Sequence, residues 1–300
     1  MHWFNRMIVN ILPFFPKSFI WLFSRRYIAG KSLSDGVGVT KELNRLGCRA
    51  TVDVLGEEIT TREEAVGFKE ASIRVLEAIA AERLDANLSL KLTSMGLRID
   101  KELCFQNVKE IVDRARQLSN FVRIDMEDST RTSDTLDIYR RLRKEYDNVG
   151  IVIQAYLKRS RSDVQSLIDD GIAHLRICKG IYKESPDIAF KDKGIIRENY
   201  FALIRMMLES GCLVGIATHD KVLVERSVDL LRSMEIPKTM YEFQMLLGVT
   251  ENLRADLVSR GHPLRVYIPY GEAWYGYSIR RLKENPKIAG HIIKNIFIRG

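Results

Sequence analysis

Four polar residues near the C-terminus share one face of a predicted helix. The segment 275–284 reads YGYSIRRLKE, which spaces Tyr277, Arg280, Arg281 and Glu284 at i, i+3, i+4 and i+7. An amphipathic helix normally turns such a stripe toward the core, where apolar side chains are expected. Two adjacent guanidiniums match the two oxygens of a carboxylate. The spacing therefore favours a site for an anionic ligand, and a solvated helix face is the alternative.

Polar residues also alternate with apolar ones along six predicted strands, as in LSLKLT at 88–93 and VRIDME at 122–127. A strand buried on both faces should be almost wholly apolar, and buried ionised groups are costly unless they are paired or bind a ligand. The candidate site residues on these strands are Lys91, Asp125, Glu127, Gln154, Arg176, Lys179 and Tyr267. They predict a ligand site at the strand ends, with a structural ion-pair network as the alternative.

Eight apolar-rich segments predict the strands that position these residues. They are 50–55, 88–93, 121–126, 150–156, 173–179, 212–218, 241–246 and 264–270. The gaps between them are mostly wide enough for a helix, and several show helical periodicity. Eight such units predict an α/β fold, a closed (β/α)8 barrel, with an open doubly wound sheet as the alternative. We expect residues 1–45 to form a helical segment that packs on the barrel and residues 46–300 to form one domain.

The overall composition narrows the classes of partner and compartment. The chain has 300 residues, and 47 Lys and Arg against 39 Asp and Glu give a net charge of +8. This balance suits an anionic ligand or membrane surface, whereas no basic run is interleaved with aromatics, which disfavours nucleic acid. The four cysteines form no CxxC pair and lie at no metal-ligand spacing from a histidine, so we expect reduced thiols, a cytoplasmic protein and no metal.

The N-terminal segment 3–28 is rich in Phe, Ile, Leu and Trp but is interrupted by Arg6, Pro13, Pro16 and Lys17. No interval between these breaks reaches the roughly 20 apolar residues that a spanning helix needs. Two interpretations remain, namely packing on the domain and a surface that rests on a membrane.

Motifs in a fixed order connect these observations to one family. Supporting motifs are VDVLGE at 52–57, LKLT at 90–93, IDME at 124–127, QAYLKR at 154–159, LRICKG at 175–180, ATHD at 217–220 and YEFQ at 241–244. The most distinctive stretch is YIPYG at 267–271 followed by WYGYSIRRLKEN at 274–285. The sequence thereby resembles the flavin-dependent proline dehydrogenase family, of the monofunctional bacterial type, from about Arg26 to Asn285.

The resemblance implies a distorted TIM-like barrel with N-terminal helices that holds FAD at the C-terminal ends of its strands. It implies that Asp125 and Arg176 form the catalytic pair, with Arg176 beside flavin N5. The implied substrate residues are Lys91, Arg280 and Arg281 for the proline carboxylate, and Tyr267, Tyr277 and Leu246 for its ring. The implied flavin residues are Met126, Gln154, Lys179, Gly180, Ile181, Thr218 and His219. Glu57 would pair with Arg280 as a gate over the substrate.

The implied reaction is oxidation of L-proline to 1-pyrroline-5-carboxylate by hydride transfer from C5 to flavin N5, the first step of proline catabolism to glutamate. The family expectation for the electron acceptor is a quinone, which suits peripheral contact with the inner membrane. Because the chain ends soon after the arginine-bearing helix, we expect a separate pyrroline-5-carboxylate dehydrogenase to act next. The alternatives are a hydroxyproline dehydrogenase of the same family, a barrel for an anionic sugar phosphate, and a non-enzymatic membrane-surface binding protein.

Overall fold

The computed structural model describes residues 17–56 and 59–284, apart from the side chains of residues 18, 19, 23 and 280–284. Eight parallel strands close into a barrel in which each strand pairs with its neighbour in chain order and β1 pairs with β8. The strands are β1 Arg49–Val54, β2 Ala86–Leu90, β3 Val122–Ile124, β4 Val149–Gln154, β5 Leu175–Cys178, β6 Val214–Ala217, β7 Tyr241–Leu246 and β8 Leu264–Tyr270. The predicted (β/α)8 barrel is confirmed, and each predicted strand overlaps an observed one.

Helices surround the barrel and precede it. They are α1 Lys17–Ser24, α2 Leu33–Arg45, α3 Arg62–Ala81, α4 Lys101–Gln117, α5 Ser129–Arg143, α6 Ser160–Asp169, α7 Lys193–Glu209, α8 Lys221–Ser233, α9 Glu251–Ser259 and α10 Trp274–Glu284. Within the described ranges, no helix is long and apolar enough to cross a membrane.

The register of the strands separates an apolar outer face from a polar inner face. Val52, Leu88 and Val122 are level on neighbouring strands and are buried beneath the helices. Asp53 and Ser89 are level one residue further on, so they occupy the opposite face. The alternation seen in the sequence is therefore the alternation between the helix layer and the interior of the barrel.

Three of the predicted site residues are each the first residue after a strand. Lys91 follows β2, Asp125 follows β3 and Lys179 follows β5. The predicted strands were slightly too long at these places, because polar residues that alternate with apolar ones continue the strand pattern into the loop. Since active sites of such barrels lie at the C-terminal ends of the strands, this position is the one that a catalytic group needs.

The helices that follow β2 and β3 each begin at an acidic N-cap that fixes the preceding loop. The Asp100 carboxylate accepts hydrogen bonds from the amides of Glu102 at 2.8 Å and Leu103 at 3.1 Å, at the start of α4. Asp128 accepts one from the amide of Thr130 at 3.0 Å, at the start of α5. Such caps satisfy amides that a helix leaves unpaired. They therefore hold the ends of the loops that carry Lys91 and Asp125.

The N-terminal helices join the last unit of the barrel. Helix α2 packs on β1 and β8, and helix α1 packs on α10. The Trp21 and Trp274 rings meet edge to face with their centroids 4.7 Å apart, and Ile20 on α1 is fully buried. Helix α1 is thus attached to the helix that carries the arginine pair.

Candidate active site

The carboxylate of Asp125 receives hydrogen bonds from three strands at the mouth of the barrel. Its Oδ1 accepts from Arg176 Nη1 at 2.7 Å and from Ser89 Oγ at 2.8 Å. Its Oδ2 accepts from the Tyr267 hydroxyl at 2.8 Å, and Lys91 Nζ lies 4.0 Å from the same oxygen. The structure therefore brings together four residues that the sequence placed on four different strands.

A second carboxylate pairs with the lysine of this cluster. Lys91 Nζ lies 3.0 Å from Asp53 Oδ2 and 3.4 Å from the Tyr267 hydroxyl. Burial raises the pKa of Asp53 to about 6, the Lys91 ammonium opposes part of that shift, and the Asp125 charge adds to it. Burial also holds the pKa of Tyr267 well above its usual value, so the phenol keeps its proton and donates to Asp125.

Beside this cluster, Gln154 and Gly180 form part of a second region. Gln154 Nε2 donates to the Met126 carbonyl at 3.3 Å. Its Oε1 is buried and has no hydrogen-bond partner among the described residues. Gly180 has a φ of +100°, and a Cβ at this position would overlap the ring of Tyr156. The Gln154 oxygen is therefore an acceptor available to a ligand, and the lack of a side chain at Gly180 lets the Tyr156 ring pack against the backbone.

Two cationic side chains border the same region. One lies on the loop after β5, and the other lies in α7. Lys179 Nζ lies 3.1 Å from Asp220 Oδ2, and Arg197 Nε lies 2.8 Å from the same oxygen. Two cations therefore share one carboxylate, which leaves a local excess of positive charge. Nearby, the Thr218 hydroxyl accepts from the amide of Asp220 at 3.1 Å, and the Ile181 side chain is 46% exposed.

His219 uses both ring nitrogens within the protein. Its Nε2 accepts from the Leu246 amide at 3.1 Å, so its Nδ1 carries the proton and donates to Thr250 Oγ1 at 2.9 Å. The histidine joins the ends of β6 and β7, and Leu246 is held in this way. A flavin contact of His219 stays a prediction, and it would have to use the edge or the face of the ring.

The predicted helix at the C-terminus is present as α10, and one face of its first half is buried. Tyr277 is only 6% exposed, and Ser278 Oγ donates to the Trp274 carbonyl at 2.7 Å. The arginine side chains at 280 and 281 and the whole of Glu57 lie outside the described residues. The carboxylate clamp and the Glu57–Arg280 gate therefore stay predictions.

Comparison with known proteins decides the family. A sequence model described as proline dehydrogenase matches residues 37–293. The chain belongs to the proline dehydrogenase family. Proline dehydrogenase 1 of Bacillus subtilis strain 168 is 39% identical over 273 residues, which are 91% of this chain and 90% of that protein. Proline dehydrogenase of Deinococcus radiodurans is 34% identical over 282 residues, 92% of this chain and 91% of that protein.

A solved structure shares the fold of this proline dehydrogenase family member. Proline utilization A from Bdellovibrio bacteriovorus, inactivated by N-propargylglycine, superposes with a TM-score of 0.83 at 25% identity. The match covers 88% of this chain and 33% of that chain. The chain thus spans about a third of this larger protein, and the likeness supports the barrel fold.

Two polar contacts of the site were not predicted from the sequence of this family member. Asp53 pairs with Lys91, and Ser89 donates to Asp125. A signal for Asp53 existed, because Thr51 and Asp53 alternate with Val52 and Val54 in β1 just as polar residues do in the other strands. Glu127, a predicted site candidate, accepts from the Thr93 amide at 3.0 Å and so holds the loop after β2, and its part in a ligand site stays a prediction.

Proposed function

We propose that this chain oxidises L-proline to 1-pyrroline-5-carboxylate with FAD as its cofactor. The observation that carries the proposal is the Asp125–Arg176 pair, which lies with Lys91 and Tyr267 at the mouth of the barrel. These are the residue types and positions that the family's chemistry needs. Family membership disfavours the two alternatives outside the family, a sugar-phosphate barrel and a non-enzymatic membrane-surface protein.

The residues beside the Asp125 cluster fit a flavin. Gln154 Oε1, which has no hydrogen-bond partner among the described residues, can accept a hydrogen bond from the imide of an isoalloxazine ring. The cations Lys179 and Arg197 suit a pyrophosphate. The residues proposed to hold FAD are Met126, Gln154, Lys179, Gly180, Ile181, Thr218 and His219. When bound, FAD supplies the N5 atom that accepts the hydride from C5 of proline.

The charge balance of the Asp125 cluster supports a role for two further arginines in binding the substrate. Lys91 and Arg176 supply two positive charges, and Asp53 and Asp125 supply two negative ones when ionised. The cluster then has no net positive charge to attract a substrate carboxylate. Arg280 and Arg281 would supply that charge as a bidentate clamp, with the Lys91 ammonium alongside.

The chain's own residues orient proline and exclude water. With the carboxylate clamped, C5 is held in one place, and positioning of reacting atoms is a large source of rate enhancement. Tyr267, Tyr277 and Leu246 would wall the ring, while Glu57 and Arg280 would close the site. Arg176, fixed by Asp125, would stabilise the negative charge that hydride transfer delivers, since a preorganised guanidinium needs no rearrangement. The ring nitrogen of proline must be neutral for its lone pair to assist loss of the hydride.

Tyr277 favours proline over 4-hydroxyproline. Its phenol is buried one turn before the arginine pair, and a 4-hydroxyl would need both space and a polar partner there. The family resemblance implies that members preferring hydroxyproline have a smaller polar residue at this position. The bulky side chain therefore supports L-proline as the substrate.

The wider context of the reaction is also part of the proposal. We infer that residues 46–300 form the catalytic domain and that residues 1–45 pack on it. Electrons would pass to a quinone, with the cytoplasmic protein in peripheral contact with the inner membrane, and a separate pyrroline-5-carboxylate dehydrogenase would consume the product.

Replacement of one clamp arginine tests the site. We expect Arg281→Met to raise the KM for proline by a factor of roughly 30 to 1,000, because losing a charge-assisted contact to a carboxylate costs about 2–4 kcal/mol. The affinity for FAD should stay near that of the wild type. Arg232→Met on α8 is the matched control, since Arg232 is 79% exposed. An unchanged KM for proline would mean that α10 does not bind the carboxylate.

A further inference from the structure

A chain of hydrogen bonds inside the barrel runs from the site cluster to the opposite wall. Arg176 is held from two directions, because Nη1 donates to Asp125 and Nε donates to Gln244 Oε1. Gln244 lies on β7, far along the chain from both partners. A planar guanidinium that is bound along two edges cannot rotate, so Gln244 is one of the two residues that set the orientation of Arg176.

The amide of Gln244 is itself held in one orientation. Its Nε2 donates to Glu242 Oε1 at 2.6 Å, and an ionised carboxylate can only accept. If the amide were reversed, its NH2 group would face Arg176 and its oxygen would face Glu242. Both contacts would then be repulsive, so Glu242 determines that the oxygen of Gln244 points at Arg176.

Glu242 is anchored as an anion by arginines at the base of the barrel. Arg265 Nε donates to its Oε1 at 2.7 Å, and Arg49 Nη1 lies 3.5 Å from its Oε2. Burial opposes ionisation of Glu242, but the charge of Arg265, its hydrogen bond and the charge of Arg123 outweigh burial and lower the pKa to about 2. The carboxylate therefore remains an acceptor throughout the physiological range.

The neighbouring strand leaves room for this contact. Gly215 on β6 is level with Arg176 on one side and with Glu242 on the other. A Cβ at this position would lie 2.7 Å from Gln244 Nε2 and 3.4 Å from the Arg176 Cα. Absence of a side chain here permits the approach of Gln244 to Arg176 across β6.

We propose that Gln244, oriented by Glu242, is a positioning residue that fixes Arg176 toward the flavin and thereby sets the reduction potential of the bound cofactor. This role rests on the proposed function, because it assigns Arg176 to the flavin. A neutral amide holds the guanidinium without cancelling its charge. The positive charge of Arg176, which already faces the Asp125 carboxylate, is then not reduced further and can stabilise the reduced flavin.

Two variants at position 244 separate the anchoring role from the charge. Gln244→Met keeps the approximate volume and removes the acceptor, and Gln244→Glu keeps the acceptor but places a negative charge beside Arg176. We expect both to shift the midpoint potential of the bound flavin to more negative values. We also expect both to slow anaerobic reduction of the flavin by proline by about tenfold or more, since a hydrogen bond to a charged group is lost or its charge is cancelled. The KM for proline and the affinity for FAD should change by less than about threefold, a difference smaller than one charge-assisted contact.

Glu242→Gln and Thr51→Val complete the set. Glu242→Gln releases the Gln244 amide and should shift the potential in the same direction by a smaller amount. Thr51→Val is the matched control, because Thr51 is fully buried in the same barrel and its hydroxyl donates to Asn87 Oδ1 at 2.6 Å, away from Arg176. It should lower the thermal midpoint without moving the potential.

The potential is measured with a chemical reductant, so it does not depend on turnover of proline. If Gln244→Met and Gln244→Glu retain flavin at the wild-type potential, the positioning role is overturned even when the wild type oxidises proline. If Gln244→Met does not fold, Gln244→Glu and Glu242→Gln decide by the same criterion. If the wild-type flavin is not reduced by proline but the variant potentials shift, the proposed substrate fails while the role of Gln244 stands.

Discussion

At the scale of single residues, Asp53 and Gln244 show why part of the site could not be derived from the sequence. The alternation of polar and apolar residues indicates which side chains face the barrel interior. It does not indicate which of them meet, because partners such as Asp53 and Lys91 are brought together only when the strands align in register. The same holds for Arg176 and Gln244, which are separated by 68 positions along the chain.

Asp53 provides a test of the site's electrostatics by pH. The pKa of about 6 in the fold lies above the value of roughly 3.9 expected in an unfolded chain. Ionisation of Asp53 is therefore less favourable in the folded state. The contribution of Asp53 to the free energy of unfolding is fully present below about pH 4. It falls as the pH rises through 6 and is constant above that range.

We therefore expect the free energy of unfolding of the wild type, relative to Asp53→Asn, to fall between about pH 4 and pH 6. The decrease should reach up to about 3 kcal/mol, since one pKa unit corresponds to about 1.4 kcal/mol. Urea unfolding at a series of pH values measures this difference. Asp229→Asn on the surface of α8 is the control for loss of a carboxylate. If the difference in the free energy of unfolding between the wild type and Asp53→Asn does not vary with pH, Asp53 ionises as readily in the folded protein as in the unfolded chain.

At the scale of elements, the strands were well predicted and the helix contacts were not. Each predicted strand overlaps an observed one, because apolar residues that alternate or run together are a direct consequence of a buried sheet. The packing of α1 on α10 could not be predicted from the sequence in the same way. The apolar residues of the N-terminal segment are compatible with a membrane surface as well as with a protein surface, and only the structure shows Trp21 against Trp274.

The contact between α1 and α10 predicts an effect of Trp21 on substrate affinity. Trp274 begins α10, and the Tyr277 side chain and the arginine pair follow on the same helix. We expect Trp21→Ala to raise the KM for proline by about two- to tenfold, since an aromatic pair contributes roughly 0.5–1.5 kcal/mol beyond its buried area. Flavin reduction at saturating proline should be nearly unchanged. Leu22→Ala, at an exposed neighbouring position on α1, is the control, and equal KM values for the two variants would show that α1 does not support α10.

At the scale of the whole molecule, the net charge of +8 and the apolar N-terminal residues favour contact with an anionic membrane. Because α1 begins at Lys17 and buries Ile20, a deletion that tests the membrane must end before α1. We expect a protein lacking residues 1–16 to reduce a water-soluble dye at the wild-type rate while losing binding to vesicles with anionic lipid. Vesicle binding by sedimentation decides this point. Binding that survives the deletion would remove residues 1–16 from the membrane proposal.

The central claim is that this barrel transfers electrons from L-proline to its own flavin. Anaerobic addition of L-proline to the purified protein, followed by the visible absorbance of the flavin, tests this claim most directly. We predict that the flavin bands bleach with L-proline and remain unchanged with D-proline. We predict that they bleach much more slowly with trans-4-hydroxy-L-proline, because we expect Tyr277 to fill the space beside the ring. A protein that binds FAD but keeps its oxidised spectrum in the presence of L-proline would contradict the account.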